Sequence, residues 1–265
     1  MASVLNYINT NSLPCKTYLD ATKPANILIS GNNFTLINLL GNTNYDFIQS
    51  DILLHPTTVP KGITFSNTEQ LHFRNSNVLD NIDSYTLINV VSGTDFSNNQ
   101  LLYASKSDST IAPALQYSYE SSTFQQQHSR LSLYNYLNQN LTYINTIVKS
   151  LPYTIQNVVV NHNIKYGISS INTNQSGYVN NINTDKGQFS TGTINQIYLG
   201  NNDNGTKPFS NVFKQLLLFV PQIAEVDIQY ILSRLLLTQI VWEEIANDDW
   251  ENIESDMWDD IISDL

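Results

Sequence analysis

Three copies of an eight-residue unit close the chain: Trp242-Glu243-Glu244-Ile245, Trp250-Glu251-Asn252-Ile253 and Trp258-Asp259-Asp260-Ile261, which together hold all three tryptophans. The chemistry open to such a unit is docking. A Trp fills a pocket, an Ile about one helical turn on adds a second apolar contact, and the acids steer encounter with a basic surface. At about 100° per residue, eight residues advance the Trp by about 80° per copy, so one straight helix would not align the copies in a single stripe. Repetition instead suits several pockets on one multimeric partner. Solvation alone accounts for the acids but leaves the regular Trp and Ile without a role.

A second set of residues could bind sugar. In an extended strand, Arg130, Ser132, Tyr134, Tyr136 and Asn138 share one face, while Leu131, Leu133 and Leu137 share the other. Aromatic faces stack on sugar rings, and guanidinium and amide groups bond the hydroxyls. Arg130, Tyr134, Tyr136 and Asn138 are therefore the candidate glycan contacts. The competing use of these tyrosines is cross-strand packing, with Tyr117 and Tyr119 opposite them.

Catalytic and metal chemistry find less support. Retaining glycoside hydrolysis needs two carboxylates about 5 to 5.5 Å apart. The nearest candidate, Glu225-Val226-Asp227, falls in a stretch with helical spacing, where side chains two apart diverge. Asp80, Asp95, Asp108 and Glu120 stand alone in sequence. His55, His72, His128 and His162 are scattered, with no pair at the separations that build a local metal site. Asn201-Asn202-Asp203-Asn204 offers oxygen ligands of the kind calcium takes, but only one carboxylate among them. The expectation is no catalytic residue, no metal ligand set and no cofactor, with calcium at that loop as the single alternative.

The elements that must position these residues read as β-strands. Hydrophobic residues make up 41% of the 265 and aromatics 11%, enough for a core, while charged residues reach only 13%. Asn, at about one residue in eight, supplies much of the polar surface, together with Asx-turns. Short apolar or alternating runs separated by Asn, Gly, Ser and Asp clusters predict strands over 26–29, 34–40, 85–92, 100–105, 115–120, 130–137, 154–161, 165–171, 196–199 and 212–220. That many strands demand two sheets. Val158–Val160 and Leu216–Val220 are continuous apolar runs, as expected where both faces are covered. Asn204-Gly205 and Asp185-Lys186-Gly187 supply residues that tolerate the positive φ of tight turns. Apolar spacing over 225–237 predicts a short closing helix.

Charge is distributed unevenly. The net charge is −11, yet all 12 Lys and Arg lie at or before Arg234, and ten of the 23 acids lie after Ile240. The body is close to neutral without a basic cluster, which argues against nucleic acid as a partner. A lone Cys15 excludes an intrachain disulfide. Met1 to Pro14 lacks the pattern of a signal peptide, and no run approaches a membrane span of about 18 apolar residues. The sequons at Asn33, Asn140, Asn174 and Asn204 then read as by-products of composition.

Several landmarks in order resemble the concanavalin A-like lectin and glucanase superfamily, in particular laminin-G-like jelly-roll modules of the type found in phage virion proteins. They are Tyr18-Leu19-Asp20-Ala21 with Gly31-Asn32-Asn33-Phe34 and Leu40-Gly41-Asn42; the apolar Phe65, Leu71 and Phe73; the strand Tyr85–Val91; Tyr178-Val179-Asn180-Asn181, where Asn181 replaces the family's glycine; and Ile197-Tyr198-Leu199-Gly200 followed by Pro208-Phe209-Ser210 and 225–237. The resemblance covers about 18–238 and implies fold more than activity. The acid that the family's catalytic strand would place after Asp227 is absent, Gln229-Tyr230 standing there instead.

The expected architecture is an all-β, two-sheet antiparallel jelly-roll sandwich over 18–238, with an N-terminal arm over 1–17, a short closing helix and an acidic Trp-repeat docking tail over 239–265. The expected role is a non-enzymatic bacteriophage virion component (decoration, fibre or adhesion), made in the host cytoplasm and held in a homo- or hetero-oligomeric assembly. Its partners would be other virion proteins, met through Trp242, Ile245, Trp250, Ile253, Trp258 and Ile261, and a host-surface glycan, with no nucleic acid and no membrane. The alternatives are a bacterial carbohydrate-binding lectin and a degenerate glycoside hydrolase.

Overall fold

The computed structural model describes residues 3–80, 82, 84–92, 99–106, 113–121, 127–135, 140–148, 155–163, 168–173 and 193–235. Sixteen strands lie among these residues. In chain order they are β1 (Cys15–Asp20), β2 (Ile27–Ser30), β3 (Asn33–Leu36), β4 (Phe47–Gln49), β5 (Thr57–Val59), β6 (Gly62–Thr64), β7 (Leu71–Phe73), β8 (Ser84–Ser92), β9 (Asn99–Lys106), β10 (Pro113–Ser121), β11 (Gln127–Asn135), β12 (Asn140–Val148), β13 (Ile155–Asn163), β14 (Ile168–Thr173), β15 (Ile194–Leu199) and β16 (Val212–Phe219). They form two antiparallel sheets, and the protein is an all-β sandwich.

The first sheet runs β14-β13-β8-β16-β6-β5, with β1 also paired to β16. The second runs β12-β11-β10-β9-β15-β7-β4-β3-β2. Pattern explains the division of labour. In Leu102-Tyr103-Ala104, Ile197-Tyr198-Leu199 and Leu71-His72-Phe73 two buried apolar residues flank a half-buried one, so here one face feeds the core and the other does not. Along β16, Leu216, Leu217, Leu218 and Phe219 are all buried, at 0–4% exposure, so this strand is covered on both faces as its continuous apolar run requires.

Both sheets contribute to one core cluster, which includes Phe34, Phe47, Phe65, Phe73, Phe209 and Phe213. Phe47 and Phe73 meet edge to face with ring centroids 4.6 Å apart, a favoured aromatic geometry. Each fully buried ring contributes roughly 2 to 3 kcal/mol.

A buried amide organises the start of the sandwich. Asn38 Oδ1 accepts from Tyr18 N at 3.0 Å and Leu40 N at 3.2 Å, and its Nδ2 donates to Lys16 O at 3.3 Å and Asn42 O at 3.1 Å. Its own backbone N–H donates to Asp46 Oδ1 at 2.8 Å. Asn38 thus fastens β1 to the connection between β3 and β4, and the one ion pair among the described residues, Arg74 with Asp46 at 3.9 Å, lies beside it.

The chain divides into two compact units, Pro14–Gln222, which is the sandwich, and Met1–Leu13 with Ile223–Leu265. In the second unit, α1 (Val4–Thr10) is capped by Ser3, whose side chain accepts from Asn6 N. A second helix, α2, occupies 225–235 in the described residues, where the closing helix was expected. The two helices meet through Tyr7 and Tyr230, stacked with centroids 3.9 Å apart, while Tyr7 Oη donates to Asp227 Oδ1 at 2.8 Å and the Arg234 guanidinium lies 5.1 Å from the Tyr230 ring centre. The segment expected as an N-terminal arm therefore carries α1, and β1 begins inside it at Cys15.

Candidate functional site

Cross-strand register gathers a polar aromatic row on the second sheet. Tyr198 on β15 pairs with Tyr103 on β9 and with His72 on β7. Residues directly opposite one another in antiparallel strands share a face. Their neighbours Leu102, Ala104, Ile197, Leu199, Leu71 and Phe73 are buried core residues, so alternation turns Tyr103, Tyr198 and His72 to the other side, where all three are half-buried. The two tyrosine rings stand tilted at 47° with centroids 6.4 Å apart.

The loop after β15 adds an acid. At Gly200 the chain takes φ +87°, and a Cβ there would collide with the Phe65 ring, so only glycine turns the strand at this point. The buried Asn201 then clamps the loop. Its Nδ2 donates to Asn67 O at 3.0 Å and Glu69 O at 3.2 Å, and its Oδ1 accepts from Asn202 N and Lys207 N, each at 2.9 Å. Asn202 Oδ1 accepts from Thr206 N at 2.8 Å, and Gly205 closes the turn at φ +65°, the positive φ expected of Asn204-Gly205. The tip of this clamped loop carries the exposed Asp203.

The electrostatics follow from burial and from Asp203. Burial raises the Tyr103 phenol, and the Asp203 charge, the neighbouring Tyr198 and a hydrogen bond to Asp203 raise it further, to about 12. Burial and Asp203 likewise raise Tyr198. Burial lowers His72, favouring the neutral imidazole. At neutral pH the row therefore presents two phenolic O–H groups, an uncharged imidazole and a carboxylate. Such a set can exchange hydrogen bonds with ligand hydroxyls while the rings offer apolar faces.

Of the glycan contacts expected from sequence, Arg130 and Tyr134 lie on β11, and Tyr136 and Asn138 lie outside the described residues. Register relates β11 to the row: Tyr103 pairs with Gln116, which pairs with Ser132. By alternation, positions 130, 132 and 134 join the same side of the sheet. Tyr117 and Tyr119 pair with Leu131 and Ser129, so their positions belong to the opposite alternation. This corrects their expected placement opposite Tyr134 and Tyr136.

The six docking residues Trp242, Ile245, Trp250, Ile253, Trp258 and Ile261 lie outside the described residues. In the loop considered for calcium, the side-chain oxygens of Asn201 and Asn202 are engaged by the loop's own N–H groups. Among the described residues no group of three His, Cys, Asp or Glu is placed to hold a metal ion. Glu225 and Asp227 are on α2, where Glu225 Oε1 accepts from Gln229 Nε2 at 2.8 Å and Asp227 accepts from Tyr7.

Sequence reasoning missed Tyr103, Tyr198 and Asp203 as a group and read His72 as isolated. The only local signal was the alternation in Ile197-Tyr198-Leu199 and Leu102-Tyr103-Ala104. What joins them is the pairing of β9 with β15 and β15 with β7, which a single sequence does not display.

No family model matches the chain, and no curated protein does either. Solved structures do. Trypanosoma rangeli sialidase in complex with sialic acid is similar at a TM-score of 0.52 and 14% identity over 82% of this chain and 32% of that one. The NanB sialidase from Streptococcus pneumoniae is similar at 0.51 and 12% over 64% and 27%. The chain thus spans about a third of the length of the sialidases it matches. At such identity the likeness is one of fold. It supports the all-β sandwich fold described above.

These neighbours correct one expectation. The expectation from sequence is a chain that is not an enzyme, but the two solved structures reported above, similar in fold, are sialidases. The fold therefore does not set the chain apart from enzymes. Neither of the solved structures reported above is a bacteriophage protein.

Proposed function

We propose that the chain is a carbohydrate-binding, lectin-like sandwich allied to glycosidases, and that sugar binds on the face of the second sheet centred on Tyr103 and Tyr198. The observation that carries the reading is the pair of half-buried phenols beside the exposed Asp203. Aromatic rings flanked by a few fixed polar groups are what a sugar-binding surface requires. The reading is supported by the likeness in fold to sialidases, one of them solved in complex with sialic acid. The test is a glycan array followed by titration calorimetry on the full chain. The wild type should bind at least one glycan class, and Tyr103→Ala and Tyr198→Ala should each weaken it about tenfold with unchanged circular dichroism. An array without any binding by the wild type would remove the proposal.

A second reading is glycoside hydrolysis through Tyr103. Sialidases use a tyrosine nucleophile, and Asp203 is placed to take the phenolic proton. The raised phenol makes that transfer costly, so binding leads. Release of dye from fluorogenic glycosides, lost in Tyr103→Phe, would reverse the order.

In the same proposal the Trp242, Trp250 and Trp258 repeat tethers the sandwich to a larger assembly. Removing 239–265 should then leave sugar binding intact and release the chain from that assembly.

A further inference from the structure

Tyr103 and Tyr198 belong to a longer row. Cross-strand pairing carries it one strand at a time: Tyr103 with Tyr198, Tyr198 with His72, His72 with Ile48, Ile48 with Thr35 and Thr35 with Leu28. These are six adjacent strands of the second sheet, β9-β15-β7-β4-β3-β2. Residues directly opposite share a face, and the neighbours Phe34, Leu36, Phe47 and Phe73 are core residues, so the whole row lies on the outer side. Leu28, on the edge strand β2, is 54% exposed, and the other five are half-buried. From Tyr103 the same register continues through positions 116, 132 and 143 to β12. The six residues offer rings, methyl groups and hydroxyls, with no Lys, Arg, Asp or Glu among them. Arg74, on the same alternation as His72, lies off the row and 3.9 Å from Asp46.

We infer that this face takes the interior of an extended linear glycan, laid across the strands with successive sugar rings over successive members of the row. The inference rests on the sugar-binding reading above and names the kind of glycan. Neighbouring strands stand about 4.8 Å apart, so the five steps from Tyr103 to Leu28 span about 24 Å. A terminal sugar held at Tyr103 and Tyr198 leaves Ile48, Thr35 and Leu28 untouched. In an extended chain each ring advances by about one strand spacing, so six rings match six strands. Sheet twist turns the outward direction by about 20° per strand, and small rotations at each glycosidic bond let a linear chain follow that ramp. Rings stack on the two tyrosines, the methyl groups of Ile48, Thr35 and Leu28 meet the apolar sugar faces, and His72 and Thr35 exchange hydrogen bonds with hydroxyls. The platform is set by backbone pairing before the ligand arrives, so little ordering is left for binding to offset.

The experiment titrates the full chain with β-1,4-linked oligomers of glucose, xylose and N-acetylglucosamine, each at two, four and six residues. In at least one series the affinity should rise by tenfold or more from two residues to six. Leu28 lies four strands from Tyr198, about 19 Å away, beyond the reach of a disaccharide bound at the tyrosines. Leu28→Ala and Thr35→Ala should therefore weaken the six-residue oligomer severalfold more than the two-residue one, whereas Tyr198→Ala should weaken both. A general loss of folding would move both lengths together, so the ratio separates contact from stability. Affinity that does not grow with length overturns the inference, as does an unchanged length ratio in both Leu28→Ala and Thr35→Ala. Binding of another glycan on an array, lost in Tyr198→Ala, with none to the three series, overturns the inference and leaves the sugar-binding reading standing. Failure of the wild type to bind any glycan on the array overturns that reading itself.

Discussion

Tyr103 on β9 and Tyr198 on β15 are cross-strand partners whose ring centroids stand 6.4 Å apart at 47° to each other. Both are flanked by core residues on their own strands, so neither can turn inward without displacing Leu102, Ala104, Ile197 or Leu199. The rings are held on the outer side by the packing of their neighbours. That makes the platform stiff, and a stiff aromatic surface loses little freedom on binding.

Ring and hydroxyl can be separated. Tyr103→Ala and Tyr198→Ala remove both and should each weaken a bound glycan about tenfold, or about 1.4 kcal/mol. Tyr198→Phe keeps the ring and should cost only about a third of that. Calorimetry on the three variants checks the order. Equal loss in Phe and Ala variants would assign the binding to the hydroxyls and discard the stacking role.

Alkaline stability carries the mark of the buried phenols. Tyr103 has a folded pKa of about 12 against an ordinary 10.0, and Tyr18 and Tyr85 are also raised, chiefly by burial. The unfolded chain therefore releases these protons first. Below pH 10 the contribution to stability is fully present, and it is lost as pH rises from 10 towards 12. Urea midpoints should fall steeply over that window, and Tyr103→Phe should flatten the slope by roughly one proton. A midpoint independent of pH between 10 and 12 would contradict the burial of all three.

Legibility in the sequence followed the range of the contacts. β8, β9, β15 and β16 were readable because each is long enough to show alternation or a continuous apolar run. β12 was not: Tyr143-Ile144 breaks the alternation in its middle. The three-residue strands β4, β5, β6 and β7 are too short to carry a period, and α1 has only Val4 and Ile8 as buried residues. The platform was hidden for a different reason. Tyr103, His72 and Tyr198 are adjacent only because β9 and β7 flank β15, and that pairing is decided by the whole core. Asp203 was legible only as part of a loop whose Asn-Asn-Asp-Asn composition makes calcium an alternative. In the fold the side-chain oxygens of Asn201 and Asn202 accept from the loop's own N–H groups.

Asn38 is a buried hub whose loss should be felt across the sandwich. Its side chain satisfies the N–H groups of Tyr18 and Leu40 and the carbonyls of Lys16 and Asn42. Asn38→Ala strands these groups in a site of 1% exposure. Each buried polar group left unpaired costs about 1 to 3 kcal/mol. Some relaxation and water entry will offset part of this, so a net loss of about 3 kcal/mol is expected in urea unfolding. A loss below about 1 kcal/mol would show that the network is dispensable. Asn38→Asp, which keeps the acceptor and removes the donors, should fall between.

Gly200 links stability to the site. Its φ of +87° lies where side chains are strained, and an added Cβ would overlap the Phe65 ring. Phe65 is buried at 1% exposure and belongs to the core, so it has little room to retreat. Overpacking of this kind costs about 1 to 3 kcal/mol, and the left-handed backbone adds about 1 to 2 more. Gly205 offers the control. It too has positive φ, +65°, but an added Cβ there would meet Thr68 atoms at 3.2 to 3.3 Å, a much milder contact. Gly200→Ala should therefore lower stability by about 3 kcal/mol or more, and Gly205→Ala by about 1 to 2. Asp203 lies between these glycines on the loop that Gly200 starts, so Gly200→Ala protein that remains folded should also bind glycan less tightly, because its carboxylate is no longer held beside Tyr103. Gly205→Asn, which tolerates positive φ, should keep both stability and binding. Equal effects of the two alanine substitutions on unfolding would mean that backbone conformation alone, and not the Phe65 contact, sets the requirement for glycine at position 200.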